Sequence, residues 1–497
     1  MPGADAYVRM EDAPRLPPPP STTGLIGWLR ANLFNGWFNS LLTVVFAWLL
    51  FSYAWGIFDW LILRAVWSGT GREACLSPDS GFCWPMVFAK FPTWVYGTYP
   101  IAERWRVTLA MVLGAVLLIP MLIPPLPYKR LNAALLLGAY PLVALILLGG
   151  GHVGFSTSTY LAVAGLIALG AVLVPTMAHG LADGMAESRI PMVLAGLGLL
   201  AWLATFVAAG PILSFGSFAV SLAGLASLAL LLVAGLLSLL HALAQNDAAS
   251  QAALRAWLFG SLSLTAIIAL LNLNFGLEPV ETQKWGGLMV TLVVSVTGIA
   301  ASLPIGILLA LGRRSKMPIV RLFSVLFIEL WRGVPLITVL FMSSVMLPLF
   351  LPPGTSFDKL LRALIGVGLF SAAYMAEVVR SGLQAIPRGQ YEGANALGLS
   401  YWQTMRMIIL PQALKVSIPN IVGNFISLFK DTTLVSIIGL FDLLGIVRFS
   451  LTDANWASPA SAPTGYFSLA MIFWVFCFGM SRYSIFMERR LQAGQKR

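Results

Sequence analysis

Apolar runs of about 20 residues recur along almost the whole chain, and no other feature limits its fold so tightly. Twelve can be marked, at roughly 41–63, 107–124, 131–149, 159–178, 190–209, 213–240, 257–274, 287–311, 319–350, 360–384, 413–438 and 466–487. Each is long enough to cross the hydrocarbon of a bilayer as a helix. There, backbone groups must find partners within their own segment, so helices are the expected form. The pair 190–209 and 213–240 can be divided differently, which leaves ten to twelve spans. Hydrophobic residues make up 58% of the chain and charged residues 10%, against roughly 25% charged in soluble domains. The expected fold is all-α, a polytopic membrane protein of about 12 transmembrane helices.

Charge placement sets the expected topology. Lys129, Arg130, Arg313, Arg314, Lys316, Arg321, Arg388, Arg406, Lys415, Arg489, Arg490, Lys496 and Arg497 fall in segments on one side. Fewer basic residues, chiefly Arg64, Arg72, Lys90, Arg104, Arg106, Lys284, Lys359, Arg362 and Arg448, fall on the other. The positive-inside bias then puts both termini in the cytoplasm. Topology also accounts for the net charge of +11 without nucleic acid as a partner. Residues 1–23 are polar and Pro-rich, with no cleavable signal, and read as a disordered tail.

Cys75 and Cys83 lie in the expected external segment 64–106. In an oxidising compartment two cysteines eight residues apart suggest a local disulfide, with two unpaired thiols as the alternative. The same segment is rich in aromatics (Trp67, Trp84, Phe88, Phe91, Trp94, Tyr96, Tyr99, Trp105), which favours an interfacial anchor over a small folded patch. Cys477 is mid-span and reads as packing.

Residues 392–411, EGANALGLSYWQTMRMIILP, are a polar interruption between two long apolar segments. Pro387, Arg388 and Gly389 are expected to stop the preceding helix. A short helix from Tyr391 to Leu397 follows, with Glu392 in its first turn, where a carboxylate suits the helix dipole. Gly393, Ala394 and Ala396 keep it thin. Gly398 fits a C-terminal cap, and Ser400 with Gln403 fits a capping box that opens a second helix. Pro411 is expected to end that helix.

Glu392, Ala394, Gly398, Ile408, Leu410 and Pro411 stand at E-x-A-x-x-x-G-x9-I-x-L-P spacing, which resembles the EAA loop of ABC-importer permeases. The stretch beginning at Trp285 (WGGLMVTLVVSVTGIAASLPIGILLALGRRS) extends the resemblance, with 327–341 (FIELWRGVPLITVLF), 374–390 (YMAEVVRSGLQAIPRGQ) and 428–445 (LFKDTTLVSIIGLFDLLG). Together these look like the five-helix permease core of the type I, polar-amino-acid ABC importers, the histidine/glutamine/arginine group. Upstream, NLFNGWFNSLLTV, the Cys-bearing segment and YPIAERWRV look more like the long permease of general L-amino-acid importers. Relative to that pattern, residues about 155–275 read as four inserted helices.

The resemblance implies a division of the chain. Residues 1–40 would be a cytoplasmic tail, 41–150 N-terminal helices with the external loop, and 151–284 apolar inserted helices. Residues 285–490 would form the core with coupling loop 385–412, and 491–497 a second tail. It implies partners as well: a second permease of the same fold, two ATPase subunits and an external solute-binding protein. ATP and Mg²⁺ would be bound by the ATPase, with no cofactor in this chain. The expected setting is the bacterial inner membrane.

Ionisable residues inside spans are costly and are functional candidates by default. Glu329 with Arg332, Glu377 with Arg380, and Lys430 with Asp431 form three such pairs. An amino acid carries both charges, so a path for it needs both signs in one cavity, and these pairs are the candidates. Structural salt bridges are the competing reading, and Glu377 with Arg380 could instead orient the loop. Gly333 and Pro335 should break the helix after Arg332. No histidine, cysteine and carboxylate cluster has metal spacing. No G-x-x-x-x-G-K-[ST] stretch and no catalytic triad pattern occur, so an enzyme is not expected. The alternative function is an ion-coupled secondary transporter, disfavoured because broken, charged helices occur only after residue 320.

Overall fold

A computed structural model describes residues 24–151, 157–178, 189–207, 212–215, 218–245, 248–350 and 358–493. The chain is predominantly helical. The principal helices are α1 (Trp37–Phe58), α2 (Trp84–Tyr96), α3 (Arg104–Leu122), α4 (Tyr140–Gly149), α5 (Thr157–Ala178) and α6 (Arg189–Val207). They continue as α7 (Leu222–Gln245), α8 (Ala248–Asn272), α9 (Gly287–Arg313), α10 (Pro318–Gly333), α11 (Leu336–Phe341) and α12 (Lys359–Gln384). The last are α13 (Arg388–Ala396), α14 (Leu410–Asp431), α15 (Leu443–Leu451) and α16 (Ser461–Ala493).

Among the described residues nine helices are long and apolar enough to cross a membrane, or ten with the bent pair α10–α11. The segments 160–175 and 190–202 are apolar but shorter. The all-α, polytopic expectation holds, and one local boundary differs. Residues 212–221, expected as the start of a span, include an antiparallel ribbon, Ile212–Phe215 paired with Phe218–Ser221. β-branched and aromatic residues on either side of Gly216 suit a hairpin better than a helix start. The expectation of disorder in 1–23 lies outside the described residues.

The chain divides into two compact units. The first comprises Met1–Ala89 and Leu451–Phe467. Within it Cys75 and Cys83 are bonded, and both are buried. Cys83 donates its N–H to Thr464 Oγ1 at 3.0 Å, and Phe82 packs edge-on against Trp60 and Phe467. This is a small folded patch, where an interfacial anchor was the favoured expectation. The disulfide and the 2%-exposed Phe82 supply a core that aromatic composition alone does not announce.

The second unit holds Lys90–Ser450 and Ser468–Arg497. Its packing is centred on α9 and α12, which lie against each other along their length. Gly298 and Gly306 in α9 meet Val367 and Met375 of α12, so small residues bring the two backbones together. One apolar cluster gathers Met289, Val290 and Val294 of α9, Leu336 and Leu340 of α11, Ala363 and Val367 of α12, and Leu428 of α14. Val107 of α3 and Leu148 of α4 join it, so these upstream helices pack on the core. A second cluster joins Leu309–Leu311, Ile328, Met375, Ala376, Val379, Met405, Ile409 and Ala413. Helices α5–α8 pack mainly among themselves, around Ala168, Val172, Ala195, Leu231 and Ala234.

The entry into α9 depends on one close approach. Gly287 sits at φ +65°, and a Cβ there would lie 2.2 Å from the carbonyl oxygen of Trp94. Only glycine combines that left-handed backbone with that contact.

Candidate functional site

The 385–412 segment folds as two helices with a bend. α12 ends at Gln384, and Pro387 is the N-cap of α13 rather than a terminator. Proline is tolerated there because the N–H it lacks has no partner at a helix start. α13 therefore begins three residues earlier than expected. Glu392 lies mid-helix, not in the first turn, so the dipole argument for it does not apply.

The C-terminus of α13 is a Schellman cap. Gly398 adopts φ +67°, its N–H donates to the Asn395 carbonyl, and the Leu399 N–H donates to Ala394. Ser400 and Gln403 form the expected reciprocal capping box, at 3.4 and 2.9 Å. Pro411, expected to end this helix, does not. The ladder widens into a π-turn at Met405–Ile409, and α14 runs on to Asp431. The π-turn shifts the hydrogen bonding just where the proline has no N–H to give.

The six motif residues separate by exposure. Ala394 is 1% exposed, and Ile408 and Leu410 pack against the second cluster beside buried Ile409. Glu392, Gly398 and Pro411 are exposed. Around the bend, Leu397, Tyr401, Trp402 and Met407 also expose large apolar side chains. One edge of the loop is thus anchored in the core and the other is presented outward.

Two contacts brace it. Arg314, just past α9, donates to the Tyr391 hydroxyl at 3.0 Å and lies over its ring. Gln412 reaches from α14 to Gln390 of α13 at 3.2 Å. Neither brace was read from the sequence. An Arg and a Tyr 77 positions apart leave no local pattern.

The charged pairs do not sit as the sequence suggested. Glu377 of α12 is the hub: it accepts from Arg313 at 2.7 Å and from Arg380 at 2.8 Å, with Arg332 at 3.7 Å. Glu329 bridges Arg313 at 3.1 Å, and its expected pairing with Arg332 is not formed. Arg332 turns to Glu377 and to the Tyr374 ring. Arg313 is a member that the sequence reading counted only as a topological charge. α10 and α11 are bent by 102° at the Gly333–Pro335 break, which sets the direction of Arg332.

Lys430 and Asp431 lie elsewhere. The neighbouring Leu428 belongs to the first cluster and touches Gly298, fifteen residues, or about 22 Å of helix, from Arg313. The three pairs therefore do not share one cavity. Four of their residues join a single network at one end of α9, and two stand apart.

Residues 302–492 match the family described as the binding-protein-dependent transport system inner membrane component. The inner membrane amino-acid ABC transporter permease protein YhdY of Escherichia coli (strain K12) is 40% identical over 94% of this chain and 93% of its own length. The glutamate/glutamine/aspartate/asparagine transport system permease protein BztC of Rhodobacter capsulatus is 40% identical over 98% of each chain. The probable amino-acid ABC transporter permease YckA of Bacillus subtilis (strain 168) is 34% identical, over 41% of this chain and 87% of its own. The helices read as an insertion are therefore not peculiar to this chain, since its long relatives align from end to end. These relatives are named as amino-acid transport permeases, two of them of ABC transporters, and they leave the ion-coupled alternative without support. The chain belongs to the family of multi-pass, inner-membrane amino-acid ABC transporter permeases.

Proposed function

We propose that residues 388–411 are the surface through which a separate ATPase drives this permease. The observation that carries the reading is the two-sided loop: Ala394, Ile408 and Leu410 turned into the core, Glu392, Gly398 and Trp402 turned out. A surface that must transmit force needs both a rigid inner anchor and an exposed contact. The Arg314–Tyr391 brace extends the link from the loop to α9, and the core cluster extends it to α12.

In this reading both termini and the loop are cytoplasmic. Two ATPase subunits, holding ATP and Mg²⁺, engage two permeases of the same core fold, and an external binding protein delivers cargo. The chain itself does no chemistry. The cargo is polar L-amino acids, and the acidic ones with their amides, named for the Rhodobacter relative, are the first to test. The Glu377 network is a gate beside the path, with Arg332 lying over the Tyr374 ring. Copurification of an ATPase with the chain, and ATP-dependent amino-acid uptake into vesicles, test the proposal. Uptake driven by an ion gradient without ATP would overturn it.

A further inference from the structure

A cavity lies where the ends of α9 and α12 meet the start of α10. It is about 470 Å³ and is lined by Arg313, Arg314, Arg321, Val325, Arg380 and Gln384. Four guanidinium groups and no carboxylate face it. Glu377 and Glu329 neutralise part of that charge from behind, through Arg313 and Arg380. Arg314 is held by the Tyr391 hydroxyl, which carries no negative charge to offset it. No ion pair involving Arg321 occurs among the described residues. Each guanidinium offers five N–H donors in a planar fork, and the pairs formed with Glu377 and Glu329 use only a few of them.

Two arginines without a carboxylate partner among the described residues, Arg314 and Arg321, converge there with two paired ones that keep spare donors, and the set matches the tetrahedral, multiply accepting surface of a phosphate. The wall beside them is apolar: Leu322 and Leu326, which flank Arg321 and Val325 on α10, are both 59% exposed. A headgroup in the cavity would leave its acyl chains a hydrocarbon surface along α10, as basic pockets between transmembrane helices do for anionic lipids.

We propose that this cavity binds a phosphate oxyanion, supplied by an anionic phospholipid headgroup or by free phosphate. Arg321 is its most available ligand, and Arg314 couples its occupancy to the brace on α13. The site is separate from the coupling reading, because binding can be measured without transport.

The test uses the full-length chain purified in detergent. Phosphatidylglycerol, phosphatidylcholine and inorganic phosphate are offered in turn, with binding read by native mass spectrometry for the lipids and by equilibrium dialysis for the ion. The anionic lipid or the ion should bind and phosphatidylcholine should not. Arg321→Gln should weaken binding roughly fivefold, and Arg321→Lys should restore most of it. Phosphatidylglycerol that millimolar phosphate cannot displace marks the lipid as the source, while binding of the ion alone marks the free anion. Absence of both, or binding that ignores both Arg321 variants, overturns the proposal. So does an Arg321→Gln chain that loses its ATPase while lipid and ion binding stay unchanged, since the cavity would then be a protein interface.

Discussion

α1 and α12 are both long helices of membrane length, and they solve opposite problems. None of the apolar window of the span Trp37–Leu63 is buried within the chain, whereas 56% of that of α12 is. α1 presents apolar side chains on every side, as lipid or another subunit demands. α12 is less apolar and carries Tyr374, Glu377 and Arg380, yet it is the helix most enclosed by the others. Polar groups at membrane depth can be kept where protein rather than lipid solvates them. The Glu377 carboxylate shows how, with three guanidinium groups as its surroundings.

If that contrast is right, the largest effect should come from the hub. Glu377→Ala leaves Arg313, Arg332 and Arg380 without their common partner. The partial exposure of the three arginines discounts the full buried-pair penalty, and a loss of about 2–3 kcal/mol with abolished uptake is expected. Thermal unfolding in detergent and vesicle uptake check it. Glu329→Gln, at a side chain 56% exposed, should change stability by less than about 0.5 kcal/mol. Equal losses in the two variants would break the distinction between the enclosed and the open carboxylate.

Next in size is the bend. A Cβ at Gly398 meets nothing within 4 Å, so substitution does not crowd the loop within this chain. The cost is the left-handed backbone alone, about 1 kcal/mol for most residues and less for Asn. Gly398→Asp should therefore insert normally yet lose ATP-dependent uptake, through altered presentation of the outward face. Gly398→Asn should keep most of it. A Gly398→Asp chain with normal uptake and ATPase association would remove the coupling role.

The disulfide gives an all-or-none readout of the first unit. Cys75 and Cys83 should resist a membrane-impermeant thiol reagent until reduced, then label from outside intact cells. Labelling without reductant counts against the bond, and labelling only after the membrane is opened counts against the topology.

The smallest effect concerns Asp442, fully buried between the last two spans and capping α15 through the Leu444 and Gly445 N–H groups. Burial outweighs those bonds and raises its pKa from 3.8 to about 6. The folded state then holds this proton more tightly than the unfolded chain. Its contribution to stability falls as pH rises from about 4 to about 6, and levels off above. Asp442→Asn should flatten that part of the melting-temperature profile between pH 4 and 7. Asp442→Ala should cost about 1 kcal/mol, from the lost cap.

The sequence by itself determined the class of the molecule and much of the local structure of its loop. Long apolar runs leave a chain no choice but helix in a bilayer, and the spacing from Glu392 to Pro411 is local enough to read directly. The Gly398 cap, the Ser400 box and the break at Gly333–Pro335 were legible for the same reason: each is decided by backbone chemistry within a few residues. Tertiary structure decided everything that depends on helix rotation and on distant partners. Glu329 and Arg332 are neighbours along α10, yet the first turns to Arg313 and the second to Glu377, because α9 and α12 offer charges that no local spacing reveals. The same holds for Pro387 and Pro411, read as stops. A proline ends a helix only if nothing else satisfies the backbone, and here an N-cap position and a π-turn do so. The four-arginine cavity is the extreme case, since its lining comes from the ends of three elements that meet only when α9, α10 and α12 pack.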